Sequence, residues 1–267
     1  MEMTKNKKSP LKKQPLHHAG QSLDEEINKR LDEKIGLHAS IVALMMAIAF
    51  LEWYRWYMDM PPMPLLMTIF VMPVIVYSGY RIYKEKQHIK YLRQGRDGER
   101  VVGEYLEHFR ESGARVYHDI IGDGFNLDHV LVSTRGIYLI ETKTYSKPNK
   151  GKTEIEFDGK DFYYNGVKYN DDIRIQVTAA ATWLANLIEE LTTKKVSVRP
   201  VVLFPGWFVK MTHRYETNIW ALNPKNLHKF YNNEKETLTK EDVKLISNHL
   251  ARYIRNEIKR STTLSGW

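Results

Sequence analysis

The chain has 267 residues, 43% hydrophobic and 27% charged, a composition that supports a packed core and excludes a wholly disordered protein. Forty Lys and Arg against 32 Asp and Glu give a formal charge of +8, which suits a polyanionic partner such as nucleic acid or an anionic lipid surface. With no cysteine, disulfides and thiolate metal sites are excluded, so any metal must be held by oxygen or histidine.

Residues 1–35 read as a basic, polar cytoplasmic tail containing "KNKKSPLKKQ", with "LDEEINKRLDEKIG" able to add a short helix. His17 and His18 fall in this tail and are expected to be solvated. Two apolar runs follow, predicting membrane-spanning helices over about 36–57 and 63–82. The first, "GLHASIVALMMAIAFL", reaches the roughly 20 residues that a bilayer requires only when the aromatic belt "EWYRWYM" is counted. The second runs uncharged from Met63 to Arg81, with Pro73 tolerable as a kink. A helical hairpin buried in a soluble core is the alternative. Lys29, Arg30 and Lys34 before the pair, and Arg81, Lys84, Lys86, Lys90 and Arg93 after it, predict that both termini are cytoplasmic, in an inner-membrane protein with two spans. Glu52 and Arg55, at the outer interface, read as topological.

Residues 83–94 read as a polar linker helix, 95–210 as a cytosolic domain, and 211–267 as an extension carrying an amphipathic helix that Thr239 caps. Within the domain, "GERVVGEYLEHFRESG" has a helical apolar period, and "ARVYHDII", "LDHVLVS" and "IYLIETK" read as three successive strands. "GKTEIEFDGKDFYYNGVKYN" alternates like an exposed hairpin. "DDIRIQVTAAATWLANLIEEL" predicts a helix, "KVSVRPVVLF" a buried strand, and Trp220 to Leu222 another short one. The fold class expected is α/β, a mixed sheet flanked by helices.

The third strand ends on charge. Ile137, Leu139, Glu141 and Lys143 share one face, and a turn at Thr134 and Arg135 sets Asp128 of the preceding strand opposite that end. Two carboxylates and an ammonium therefore converge. Phosphodiester hydrolysis uses such a group: Asp128, Glu141 and the Thr142 carbonyl could hold Mg²⁺ or Mn²⁺, and Lys143 could orient a water or neutralise developing charge. The acid-x-Lys pattern alone is weak. It recurs at Asp32/Lys34, Glu141/Lys143, Asp158/Lys160, Asp242/Lys244 and Glu257/Lys259, and only Glu141/Lys143 ends an apolar strand with an acid on its partner. On residue physics alone a structural ion pair explains it as well as a site does.

"GRDGERVVGEYL", "NLDHVLVSTRGIYLIETKTYS" and "IQVTAAATWL" together resemble the nuclease-related domain (NERD) family, whose fold is similar to that of the PD-(D/E)XK restriction-endonuclease-like nucleases. The resemblance covers about residues 95–205. It implies that Asp128, Glu141 and Lys143 are the nuclease triad, that Glu99 is the helical glutamate, and that Gln176 is the late-helix glutamine completing the site. Glu104 lies about 140° around the helix from Glu99 and is expected to face elsewhere. Thr144 departs from the asparagine frequent in the family, leaving the triad intact. The function implied is a membrane-anchored nuclease acting on DNA or RNA; the alternative is a non-catalytic nucleic-acid or protein docking module on the membrane.

Other features carry less. His129 points away from Asp128 and suggests a packing role. Trp207 in "PGWF" suggests a core cap or a base-stacking platform. "GDGFN" lacks the spacing of a calcium loop, and no "GxxxxGK" phosphate loop occurs. Lys244, Arg252, Arg255, Lys259 and Arg260 suit either phosphate tracking or a solvated helix face.

Overall fold

The computed structural model describes residues 15–60, 63–147, 153–164, 166–169, 172–212 and 217–264. The basic cluster at 5–13 and the prolines at 61 and 62 lie outside these. The chain forms two compact units, residues 21–97, and residues 98–267 together with the segment preceding Gln21.

The first unit is helical. Helix α1 (Gln21–Lys29) continues through a π-helical segment (Arg30–Gly36) into α2 (Leu37–Tyr57), so residues 21–36 are ordered helix where the sequence suggested a tail with at most a short helix. Ion pairs account for it: Arg30 bonds Glu26 at 2.8 Å, and Arg30 and Lys34 reach Glu85 at 3.1 and 3.5 Å. Helix α3 (Pro64–Glu111) runs 48 residues through Pro73 and past Gly95, where the sequence placed a domain boundary. Glu52 accepts bonds from Arg55 at 2.9 Å and from the Met63 amide at 3.3 Å, so its charge serves the connection between α2 and α3. Gln21–Tyr57 and Pro64–Glu111 are each long and apolar enough to cross a membrane. Phe50, Leu65, Ile69 and Phe70 are exposed, the reverse of what a hairpin in a soluble core requires.

The second unit is mixed α/β. Strands β1 (Arg115–Ile121), β2 (Asn126–Ser133) and β3 (Gly136–Thr142) form an antiparallel meander, and β3 continues in parallel to β7 (Val198–Leu203) and β9 (Trp220–Leu222). Strong alternation sends one set of side chains to each face. Val130, Val132, Ile137 and Leu139 pack with Leu184 and Ile188 of α4 (Ile173–Thr192) and Ile246 and Leu250 of α6 (Lys240–Leu264). Leu131, Tyr138 and Ile140 pack on the other side with Val102, Leu106 and Phe109 of α3. Thr239 caps α6 as expected, its Oγ1 accepting from the Asp242 amide at 3.1 Å.

Residues after β3 depart from expectation. β4 (Glu154–Phe157), β5 (Phe162–Tyr164) and β6 (Val167–Lys168) do not stand as a free exposed hairpin; with β8 (Phe208–Met211) they make a second, four-stranded sheet ordered β6-β5-β4-β8. The reason is a third apolar cluster, in which Ile155, Phe157 and Phe162 meet Phe204 and Trp207. Trp207 is buried with its Nε1 donating to the Tyr145 carbonyl at 3.3 Å, which makes it core and removes the base-stacking reading. Helix α5 (Pro224–Asn232), which the sequence reading lacked, starts at an Asn223 cap with Pro at its first turn.

Gly98 shows how tightly α3 meets the end of β3. A Cβ at Gly98 would lie 1.9 Å from the Thr144 Cγ2. Gly98→Ala is therefore expected to cost about 1–3 kcal/mol by overpacking. Denaturant unfolding of the double variant with Thr144→Ala should recover most of that loss; additive costs would contradict the contact.

Candidate active site

The β2–β3 hairpin closes at Ser133 opposite Gly136, leaving Thr134 and Arg135 in the turn, and its last paired residues are His129 and Ile140. One residue further, Asp128 and Glu141 stand side by side. Both lie on the face of Val130 and Leu139, towards α4. The Thr142 amide donates to the Asp128 Oδ2 at 2.7 Å, and the Lys143 amide donates to the Leu203 carbonyl of β7 at 2.9 Å, so a β2 side chain on one side and the β7 backbone on the other fix this strand end.

Three side chains then close a triangle. The Lys143 Nζ donates to Glu141 Oε1 at 2.9 Å and to Gln176 Oε1 at 3.2 Å, while the Gln176 Nε2 donates to the same Glu141 oxygen at 3.2 Å. Gln176 lies in the first turn of α4, whose Val177, Ala181 and Leu184 are buried and fix the helix against the sheet. Glu141 is buried and Lys143 half-buried, so this pair is screened less than a surface pair.

Glu99 reaches the group from α3, immediately after the close-packed Gly98, and accepts a hydrogen bond from the Gly20 amide. Burial, with Asp119 and Glu141 nearby, pushes its carboxyl up to about 8. Asp128 is likewise raised well above the usual carboxylate range, by burial first and by Glu141 and Glu99 next, against the opposing Thr142 amide and Lys143. Glu104 is exposed, on a different side of the helix. The structure thus gathers Glu99, Asp128, Glu141, Lys143 and Gln176 in one corner. Thr142 takes part through its amide N–H, whereas its carbonyl is the atom the sequence reading named.

Sequence reasoning missed Asp119. It is buried in β1, between the register pairs His118–His129 and Ile120–Leu127, with φ +52°, and its Oδ1 accepts from the Asn126 Nδ2 at 3.3 Å. Its carbonyl takes the His17 Nδ1 at 2.9 Å, so His17 is docked on β1 and half-buried, where the sequence predicted a solvated side chain. A left-handed residue inside a strand leaves no pattern in the sequence beyond the tolerance of Asp for that conformation. On the opposite face His129 is buried, its Nδ1 2.9 Å from His118 Nδ1 and its Nε2 3.4 Å from the Thr142 Oγ1. Burial holds both imidazoles below their usual range, keeping them neutral supports beneath the strand.

The carboxylate donors are all oxygen, and the elevation of Glu99 and Asp128, each by burial first and with Glu141 as a neighbour, suits a place where a cation would relieve the charge. Among the described residues, no three His, Asp or Glu form a ready cage. Mg²⁺ does not require one, since it binds through one or two carboxylates and keeps several waters. Asp128 and Glu141 fit that demand.

The family model described as a nuclease-related domain (NERD) matches residues 94–205, a segment that contains Glu99, Asp128, Glu141, Lys143 and Gln176. Searches of curated proteins and of solved structures give no match.

Glu99 fixes the sign of a pH effect in metal-free protein. A carboxyl raised in the folded state adds stability that is complete below its unfolded value near 4.5 and is lost as pH rises through about 8. In chelator, Glu99→Gln should flatten the fall in melting temperature between pH 5 and pH 8; an unchanged fall would contradict the assignment.

Proposed function

Proceeding from the match of residues 94–205 to the nuclease-related domain model, we propose that the chain is a membrane-anchored, divalent-metal-dependent phosphodiesterase acting on DNA or RNA at the cytoplasmic face of the inner membrane. The observation that carries this reading is the triangle of Glu141, Lys143 and Gln176 beside Asp128. The restriction-endonuclease-like fold belongs to the same proposal, supported by the meander that continues into a parallel strand with a helix delivering Gln176 to its end.

Asp128, Glu141 and the Thr142 carbonyl would hold Mg²⁺ or Mn²⁺. When bound, that ion would stabilise charge on the phosphoryl oxygens and acidify a water. The protein's own groups account for the rest. The Lys143 ammonium sits where it can orient a water or meet negative charge developing on the phosphate, and Gln176 holds it in place. Glu99, with its carboxyl raised to about 8, is poised to hold or release a proton near neutral pH. The +8 charge of the chain favours a polyanionic substrate.

Anchoring is supported by the two long apolar helices and by the exposed aliphatic and aromatic side chains they carry. The cationic residues flanking both runs favour cytoplasmic termini.

The full-length chain in detergent should cleave nucleic acid only with a divalent cation, and Glu141→Ala or Lys143→Ala should lower the rate by about 100-fold or more. Metal-independent turnover, or no turnover on single- and double-stranded DNA and RNA, would overturn the catalytic reading; nucleic-acid binding without turnover would favour a docking module. After alkaline carbonate extraction the chain should stay with the membrane pellet, and release into the supernatant would contradict the anchor.

A further inference from the structure

The second unit has a large cavity at the end of the sheet away from the acidic corner. It occupies about 870 Å³ between the end of α3, the start of β1, the β2–β3 turn and the first turns of α6. Thr134 lines it, six residues along β2 and its turn from Asp128, which is about 20 Å at the rise of a strand. It is therefore a separate site.

Its lining has two characters. Among the described residues, Arg110, Arg115, Lys240 and Lys244 face it with only Glu111 and Glu236 against them, and Glu236 is already held by the Thr134 hydroxyl at 2.9 Å. Arg110 is engaged by Glu107 and by the Val116 carbonyl, whereas no carboxylate among the described residues pairs with Arg115, Lys240 or Lys244. Leu16, Val116, Val243 and Ala251 supply an apolar wall.

Ser247 gives the independent sign of a ligand. It is 6% exposed, it lines the cavity, and its Oγ has no hydrogen-bond partner. Its backbone carbonyl is used by the Tyr117 hydroxyl at 2.8 Å, which fixes this turn of α6. A buried hydroxyl left unbonded costs stability unless something reaches it.

We propose that this cavity binds a nucleotide, with its phosphate held by Arg115, Lys240, Lys244 and the Ser247 hydroxyl and its base against the apolar wall. Cations and a hydroxyl donor match phosphate oxygens, and the mixed lining and size match a ligand with one charged and one flat apolar end. Inorganic phosphate would leave the apolar wall and most of the volume unused.

The test is calorimetric titration of the full-length chain in detergent with ATP, AMP and inorganic phosphate. Saturable nucleotide binding is expected, weakened about tenfold or more in Lys244→Ala and in Arg115→Ala and measurably in Ser247→Ala, with wild-type melting temperature confirming that each variant folds. Asp128→Asn should bind the nucleotide as wild type does, whether or not it cleaves nucleic acid, which separates this site from the acidic corner. No binding at millimolar nucleotide, binding that survives the cavity substitutions, or phosphate bound as tightly as nucleotide would overturn the proposal.

Discussion

Repulsion among closely set carboxylates, Glu141 buried and Glu99 and Asp128 half-buried, is the constraint around which the acidic corner is organised. Glu99, Asp128 and Glu141 approach from a helix and two strands, with Asp119 behind Glu99, in a corner too poorly solvated to hold full negative charge on each. The polar contacts described there answer that repulsion. The Thr142 amide points at Asp128, Lys143 points at Glu141, Gln176 bridges the two charges of that pair, and Glu99 takes the Gly20 amide. Apolar residues in place of these acids would make a more comfortable core.

The fold supplies the precision. Parallel pairing of β3 with β7 fixes the strand end that carries Thr142 and Lys143, because the Lys143 amide is tied to the Leu203 carbonyl. Apolar packing beneath α4 fixes the helix turn that carries Gln176. Gly98 lets α3 come close enough to place Glu99, with the γ-methyl of Thr144 occupying the space that a side chain would take. Thr144, the one departure from the family pattern within "ETKTYS", is thereby part of the same contact.

Much of this was legible in the residues. The turn at Thr134 and Arg135 set the register, and register alone placed Asp128 beside Glu141, because a strand has a period of two and tolerates no ambiguity once one face is buried. Glu99 and Gln176 were reachable only through family resemblance, since they come from helices distant in sequence. Asp119 was not reachable, because its position depends on a single left-handed residue within β1. The second sheet was hidden for another reason: the alternation of residues 154–164 fixes strands but not their partner, and β8 joins them from the far side of α4 and β7. The helical run through Arg30 and Lys34 rests on Glu85, more than fifty positions away, a pairing that composition cannot reveal.

We propose that the carboxylate corner holds a divalent cation. Cation binding there is tested most directly by calorimetric titration of Mn²⁺ into the full-length chain in two buffers of different ionisation enthalpy near pH 7. Because the Glu99 carboxyl is raised to about 8 and Asp128 is raised well above the usual carboxylate range, binding should release protons, and Asp128→Asn should abolish it. Binding without proton release, or binding unchanged in Asp128→Asn, would contradict the account.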